Sequence, residues 1–125
     1  MPLVILSMSH RFADDIGISS ESTSLHLERI INHLPQIIAP ILTSNEHAVT
    51  EADIEVWPQI LHPHARTKYH MALDIFTARD AEREVNCRER TEQISVGPRK
   101  FLPPLTHYCV DVHLATEGFA SGWSS

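Results

Sequence analysis

The residue whose type and place most directly offer chemistry is Pro2, which follows Met1 and heads the apolar run PLVILSM. Once Met1 is removed, as a small second residue such as Pro allows, Pro2 carries a secondary amine. An α-amino group has a reference pKa of about 8 and a secondary amine sits somewhat higher, so in water it is mostly protonated. An apolar pocket and a nearby guanidinium both disfavour the charged form and move the amine toward neutrality. Such a base can take a proton from a carbon next to a carbonyl and return it elsewhere, worth roughly 10²–10⁴-fold in rate. With Met1 retained, the same nitrogen is a tertiary amide without basicity. Chemistry of this kind on a carboxylated substrate also needs cations, because the planar Arg fork binds a carboxylate and stabilises a developing enolate. Arg11 ends PLVILSMSHR, Arg66 lies in HPHARTK, and Arg79 follows YHMALDIFTA.

Regular elements must hold these groups. PLVILSM reads as a buried strand bounded by Ser9, His10 and Arg11. After the polar stretch ADDIGISSES, Leu27, Ile30, Ile31, Leu34, Ile38 and Ile41 recur at helical spacing, with Ser19 or Ser20 as cap and Glu21 near the positive end of the dipole. Pro35 predicts a kink or an end near Leu34, and Pro40 interrupts again. A second strand is predicted over 53–61 (DIEVWPQIL). It carries Ile54, Val56 and Ile60 on one side and Asp53, Glu55 and Trp57 on the other, and Pro58 marks it as an edge or bulge. A third strand is predicted over 69–76, where Met71, Leu73 and Ile75 alternate with His70, Ala72 and Asp74. Thr77 and Asp80 offer caps for a second helix from Ala81 toward Ile94, sparse in apolar residues (Val85, Cys87, Ile94) and ended by Gly97-Pro98. A fourth strand is predicted over 108–114 (YCVDVHL), before a tail containing Phe119 and Trp123.

The order is strand, helix, strand, twice. PLVILSMSHR before the first helix has its counterpart in HMALDIFTAR before the second. The prediction is one α/β domain over 1–125, built from a βαβ unit in 1–61 and another in 69–125. The two units form a four-stranded mixed sheet with two helices on one face. A chain this short has no spare helix for the other face, which points to another subunit as its cover.

Composition sets the surroundings. Ten basic against sixteen acidic side chains give a formal charge of −6, which removes the phosphate electrostatics that nucleic-acid binding depends on and offers no basic run to a membrane. No stretch approaches the length and apolarity of a membrane span, and the amino terminus lacks an export pattern. Cys87 and Cys109 show neither CxxC nor disulfide spacing and read as small buried apolar groups rather than nucleophiles. These features lead to the expectation of a cytoplasmic protein.

The Pro directly after Met1, the strand that begins at it, the duplicated βαβ plan and the strand-ending Arg of FTARDAERE together resemble the tautomerase superfamily. The likeness is to its long-chain, carboxymethyl-hydroxymuconate isomerase and oxalocrotonate tautomerase-like members. The resemblance implies a homotrimer, an amino-terminal proline base in a pocket at each subunit boundary, no cofactor, and a small carboxylate such as a 2-oxo acid or dienol as substrate. It makes Arg79 the leading partner of Pro2, with Arg11, Arg66, Glu55 and Trp57 as substrate-binding candidates. It also likens GFASGW to the tail that such trimers extend across a neighbour. The chain departs from the pattern at the second strand, where many members carry an Arg and DIEVWPQIL offers Asp53, Glu55 and Gln59. A carboxylate there resembles the malonate semialdehyde decarboxylases and haloacrylate dehalogenases of the same superfamily, with Asp53 or Glu55 acting beside a protonated proline. Two readings of other classes stand beside these. His62-Pro63-His64, with His70, has the HxH form that brings two imidazoles to one metal, although the expected site holds no metal. A non-catalytic ferredoxin-like binding module uses similar elements, but has no need for its first strand to begin at Pro2.

Overall fold

The computed structural model describes residues 2–15, 25–102 and 105–115. In chain order these form strand β1 (Leu3–Met8), helices α1 (His10–Asp15) and α2 (Leu25–Leu42), strands β2 (Glu55–Ile60) and β3 (Met71–Ala78), helix α3 (Ala81–Val96) and strand β4 (Tyr108–Ala115). Single 3₁₀ turns occupy Glu51–Asp53 and Gly97–Lys100. The sheet runs β2-β1-β3-β4. β1 is parallel to β2, β3 is parallel to β4, and the two pairs meet antiparallel at β1 and β3. A parallel pair needs a long crossover, and α2 and α3 supply the two. The predicted duplicated βαβ plan and its mixed sheet are therefore present.

Alternation along the strands creates the core. Val4, Leu6 and Met8 of β1 and Met71, Leu73 and Ile75 of β3 are fully covered and pack with Ile30, Leu34, Ile38 and Leu42 of α2 and Ile94 of α3. The opposite sheet face carries Trp57, half exposed, a Gln59–Ser7 hydrogen bond of 2.7 Å and a His113–Asp74 contact of 3.0 Å with the His113 ring stacked on Phe76. β2 is an edge strand, so Pro58, which has no N–H to give, takes nothing from an outer neighbour. Among the described residues, no helix is long and apolar enough to cross a membrane.

Four expectations change. The helix predicted to kink or stop near Leu34 runs from Leu25 to Leu42 with Pro35 and Pro40 inside it. Each side chain buried along its Ile30, Leu34, Ile38 and Leu42 stripe is worth ~1.5–3 kcal/mol, against roughly 3 kcal/mol for an interior proline, and the packed stripe holds the helix together. Arg11 does not end a strand: α1 begins at His10, with the Ser9 hydroxyl accepting the Phe12 N–H at 3.2 Å and Phe12 and Ala13 buried. The third strand extends through Thr77 to Ala78, which leaves Asp80 alone as the α3 cap. Both cysteines are half-buried rather than core residues. Ser19, Ser20, Glu21, Phe119 and Trp123 lie outside the described residues.

Gly97 ends α3 where Ile37 of α2 presses closest. A Cβ at Gly97 would stand 2.6 Å from Ile37 Cγ2, a stiff β-branched methyl. Gly97→Ala is expected to lower stability by about 1–3 kcal/mol through overpacking, read as a shift in the urea midpoint.

Candidate active site

Pro2 is buried between two neighbours fixed by the sheet. Its carbonyl accepts the Glu55 N–H at 3.1 Å at the start of β2, and the antiparallel register that pairs Leu3 with Phe76 sets Pro2 beside the end of β3. There it lines a cavity of about 280 Å³ with His47, Val49, Asp53, Thr77 and Arg83. The segment between α2 and β2 supplies one wall, and the end of β3 with the first turn of α3 supplies the other.

That second wall is organised by Asp80. Its carboxylate has no solvent exposure. It caps α3 by accepting the Arg83 N–H at 2.8 Å, and also receives the Ser44 hydroxyl at 2.7 Å and His47 Nδ1 at 2.8 Å. Burial alone would raise its pKa. The hydrogen bonds from Ser44, the Arg83 N–H and His47, with the Arg83 charge, prevail and hold the carboxyl well below the usual carboxylate range. Arg83 is 2% exposed. Its Nε and Nη2 donate to the Leu42 carbonyl at 3.0 and 2.8 Å, its Nη1 donates to the Ala78 carbonyl at 2.7 Å, and Asp80 lies 3.5 Å away. Burial lowers the Arg83 pKa from its ordinary value, partly offset by Asp80. Arg90, about two turns further along the same face of α3, donates to the carbonyls of Ile41 and Thr43. The last carbonyls of α2, which have no partner within their own helix, are thus satisfied by two arginines of α3. Three of the five N–H groups of the Arg83 guanidinium are held by these carbonyls, which fixes its positive charge behind the cavity wall.

Asp53 sits on the opposite wall in its 3₁₀ turn. It accepts the Thr50 N–H at 2.9 Å and the Thr50 hydroxyl at 3.0 Å. These two bonds, the backbone one first, lower its pKa.

The residues named from sequence separate clearly. Pro2 and Asp53 line the cavity; Arg79, Arg11, Arg66, Glu55 and Trp57 do not. Arg79 is exposed, with Nε 3.1 Å from Glu84. Arg79→Ala is expected to change stability by less than ~1 kcal/mol, checked by chemical denaturation. Arg11, on α1, and Arg66, between β2 and β3, lie at the far end of the sheet, roughly 20 Å from Pro2 at ~3.3 Å per strand residue. Glu55 and Trp57 alternate onto the sheet face away from the helices. Of the three histidines of the metal reading, His62 and His64 lie with ring centroids 5.3 Å apart, whereas His70 is engaged with His107. His62 Nδ1 accepts the His64 N–H at 3.1 Å, while His70 Nδ1 accepts the His107 N–H at 2.8 Å and its ring stacks on His107. Among the described residues, Glu46, His47 and Asp80 do bring ligand-type atoms within 4.8 Å of one another, but His47 and Asp80 already hydrogen-bond each other there. Burial, then Asp111 and Asp74, raises the Cys109 thiol, away from nucleophilic character.

Sequence reasoning missed Arg83 and His47. Arg83 had a local signal, the Asp-x-x-Arg spacing of a cap in ARDAER, whereas His47 lies in an irregular segment with none.

No family model matches this chain, and no curated protein matches it. Among solved structures, one described as "Crystal Structure of Native Ps01740" superposes with a TM-score of 0.53 at 16% identity, over 94% of this chain and 96% of that one. That likeness extends to the fold.

Proposed function

We propose that this chain, once Met1 is removed, is a keto–enol tautomerase of the amino-terminal proline type acting on a small carboxylated 2-oxo acid or dienol. The observation that carries the reading is the burial of Pro2 on the wall of a cavity that Arg83 also lines. The fixed positive charge of Arg83 at the cavity wall favours a carboxylated substrate and opposes protonation of the amine. The sheet neighbours of Pro2 fix the amine against the bound substrate, so proton transfer at carbon needs no rearrangement of the strand. Arg79 takes part only if the site is completed across a subunit boundary. The homotrimer belongs to the same proposal: the sheet face with Trp57 is the one that subunits would share.

A second reading has one observation in its favour. Asp53 lines the same cavity as Pro2, and Glu55 does not, so a decarboxylase or hydratase of the same superfamily would use Asp53. The test pairs an intact-mass measurement with two assays on the purified chain. Loss of Met1 together with accelerated ketonisation of phenylenolpyruvate supports the tautomerase. Release of CO₂ from malonate semialdehyde without that ketonisation supports the alternative. Full-length mass in active protein overturns the proline mechanism in both. Sedimentation equilibrium reads the trimer.

A further inference from the structure

The cavity holds a second nitrogen base that the proline reading leaves without work. His47 is fixed from several sides: its N–H donates to the Ser44 hydroxyl at 3.2 Å, its carbonyl accepts the Ser44 N–H at 2.8 Å, and its Nδ1 meets Asp80 Oδ2 at 2.8 Å. Asp80 already takes the Ser44 hydroxyl and the Arg83 N–H, and lies beside the Arg83 guanidinium. A carboxylate so surrounded by donors stays ionised and can only accept. Nδ1 of His47 must therefore carry a proton, and in the neutral tautomer with that proton the lone pair lies on Nε2. Nε2 makes no hydrogen bond among the described residues, the side chain is 41% exposed, and His47 shares the cavity wall with Pro2. The one-sided explanation, that His47 merely satisfies a buried carboxylate, accounts for Nδ1 but not for its place on the cavity that Pro2 lines.

Resting on the tautomerase reading of Pro2, we propose that His47 is a second catalytic residue, exchanging the proton at the substrate oxygen while Pro2 exchanges the one at carbon, with Asp80 as its positioning residue. In ketonisation, protonated Pro2 gives its proton to the enol carbon. The C=C electron pair forms the new C–H bond, the O–H pair becomes the carbonyl π bond, and Nε2 takes the hydroxyl proton. Water then carries one proton from His47 back to Pro2, and nothing is oxidised or reduced. Enolisation runs the same transfers in reverse. The division suits substrates such as 2-oxo acids, in which the oxygen that exchanges a proton is borne by the carbon next to the one that exchanges the other, so that each base is held against its own atom.

The groups around His47 are Asp80, which caps α3, and Glu46 of its own segment, with Arg83 of α3, Asp53 of the 3₁₀ turn and Pro2 lining the same cavity. The acid side of the pH profile is therefore compared between variants that leave all five in place. Ketonisation of phenylenolpyruvate is measured from pH 5 to 9 for wild type, His47→Asn, His47→Gln and His47→Ala. The Asn amide keeps a donor for Asp80 and removes the base. The expected result for wild type is a bell, with a limb on the acid side and another on the alkaline side. In His47→Asn, kcat at neutral pH falls about 10–100-fold, within the lower part of the general-base range, and the acid limb disappears. Added imidazole restores part of the rate in His47→Ala, which a purely structural residue would not allow. Any variant that keeps the wild-type thermal melt decides the matter. Retention of both rate and acid limb, with catalysis still lost when Pro2 is blocked, overturns the role of His47 alone. Undiminished rate with Pro2 blocked overturns the proline reading and this proposal with it.

Discussion

Blocking the Pro2 nitrogen, by placing ahead of it one residue that is not removed, is expected to lower kcat for enol–keto conversion by about 10²–10⁴-fold and to leave the thermal melt unchanged. The change converts a basic amine into an amide and keeps the proline ring in its place. The features that hold the ring are untouched: the Pro2 carbonyl still accepts the Glu55 N–H, and the Leu3 pairings to Glu55 and Phe76 still set the strand. Pro2→Ala makes a useful contrast. It leaves a primary α-amino group with a reference pKa of about 8 but removes the ring that restricts its direction, so its loss should be smaller than that of the blocked chain. Equal rates for the blocked and unblocked chains, both verified by intact mass, would sink the mechanism.

Asp80→Ala is expected to cost about 3–5 kcal/mol of folding stability, the range for removing one member of a buried charge pair. Three losses coincide. The buried Arg83 guanidinium loses its counter-ion, the N-terminus of α3 loses its cap, and the Ser44 hydroxyl and His47 Nδ1 lose their acceptor. Asp80→Asn keeps the size and part of the cap and should cost less. The same site gives a pH dependence of definite sign. The folded-state pKa of Asp80 is depressed, because hydrogen bonds from Ser44, the Arg83 N–H and His47 outweigh the opposing effect of burial. The folded chain therefore binds fewer protons than the unfolded one. Its contribution is fully present above the unfolded value of about 3.9 and is lost progressively as pH falls below it. Urea denaturation at pH 7 and at pH 3.5 checks this: wild type should lose more stability on acidification than Asp80→Asn. A wild-type midpoint as insensitive to acid as that of the variant would contradict the assignment.

Much of the architecture was legible because the relevant signals are local. Alternation at Met71, Leu73 and Ile75 marks a strand wherever that strand ends up, and the missing N–H of Pro58 confines its segment to an edge in any sheet. Asp80 announced itself as a cap because a cap needs only the next three residues. α3 was hard to read because two of its buried residues are arginines. Periodicity scores a guanidinium as solvent-facing, and what makes Arg83 and Arg90 buried is the carbonyl end of α2, some forty residues away along the chain. The same distance effect bears on the continuity of α2: its prolines argue locally for a break, and the sheet beneath its apolar stripe supports one helix from Leu25 to Leu42.

The sequence by itself determined two βαβ units and the residue that heads the first, since strand and helix periods and the position of a proline after Met1 require no knowledge of neighbours. Tertiary structure alone decided which cation, which carboxylate and which imidazole share a cavity with Pro2. Arg79 and Arg83 lie about one helical turn apart in FTARDAERE, and side chains so close in sequence part company according to which one meets the end of α2. His47 comes to Pro2 only because the crossing of β1 against β3 and the docking of α2 on α3 bring two distant segments to one end of the sheet. Contacts of that kind depend on three-dimensional closure, and no local pattern in the chain encodes them.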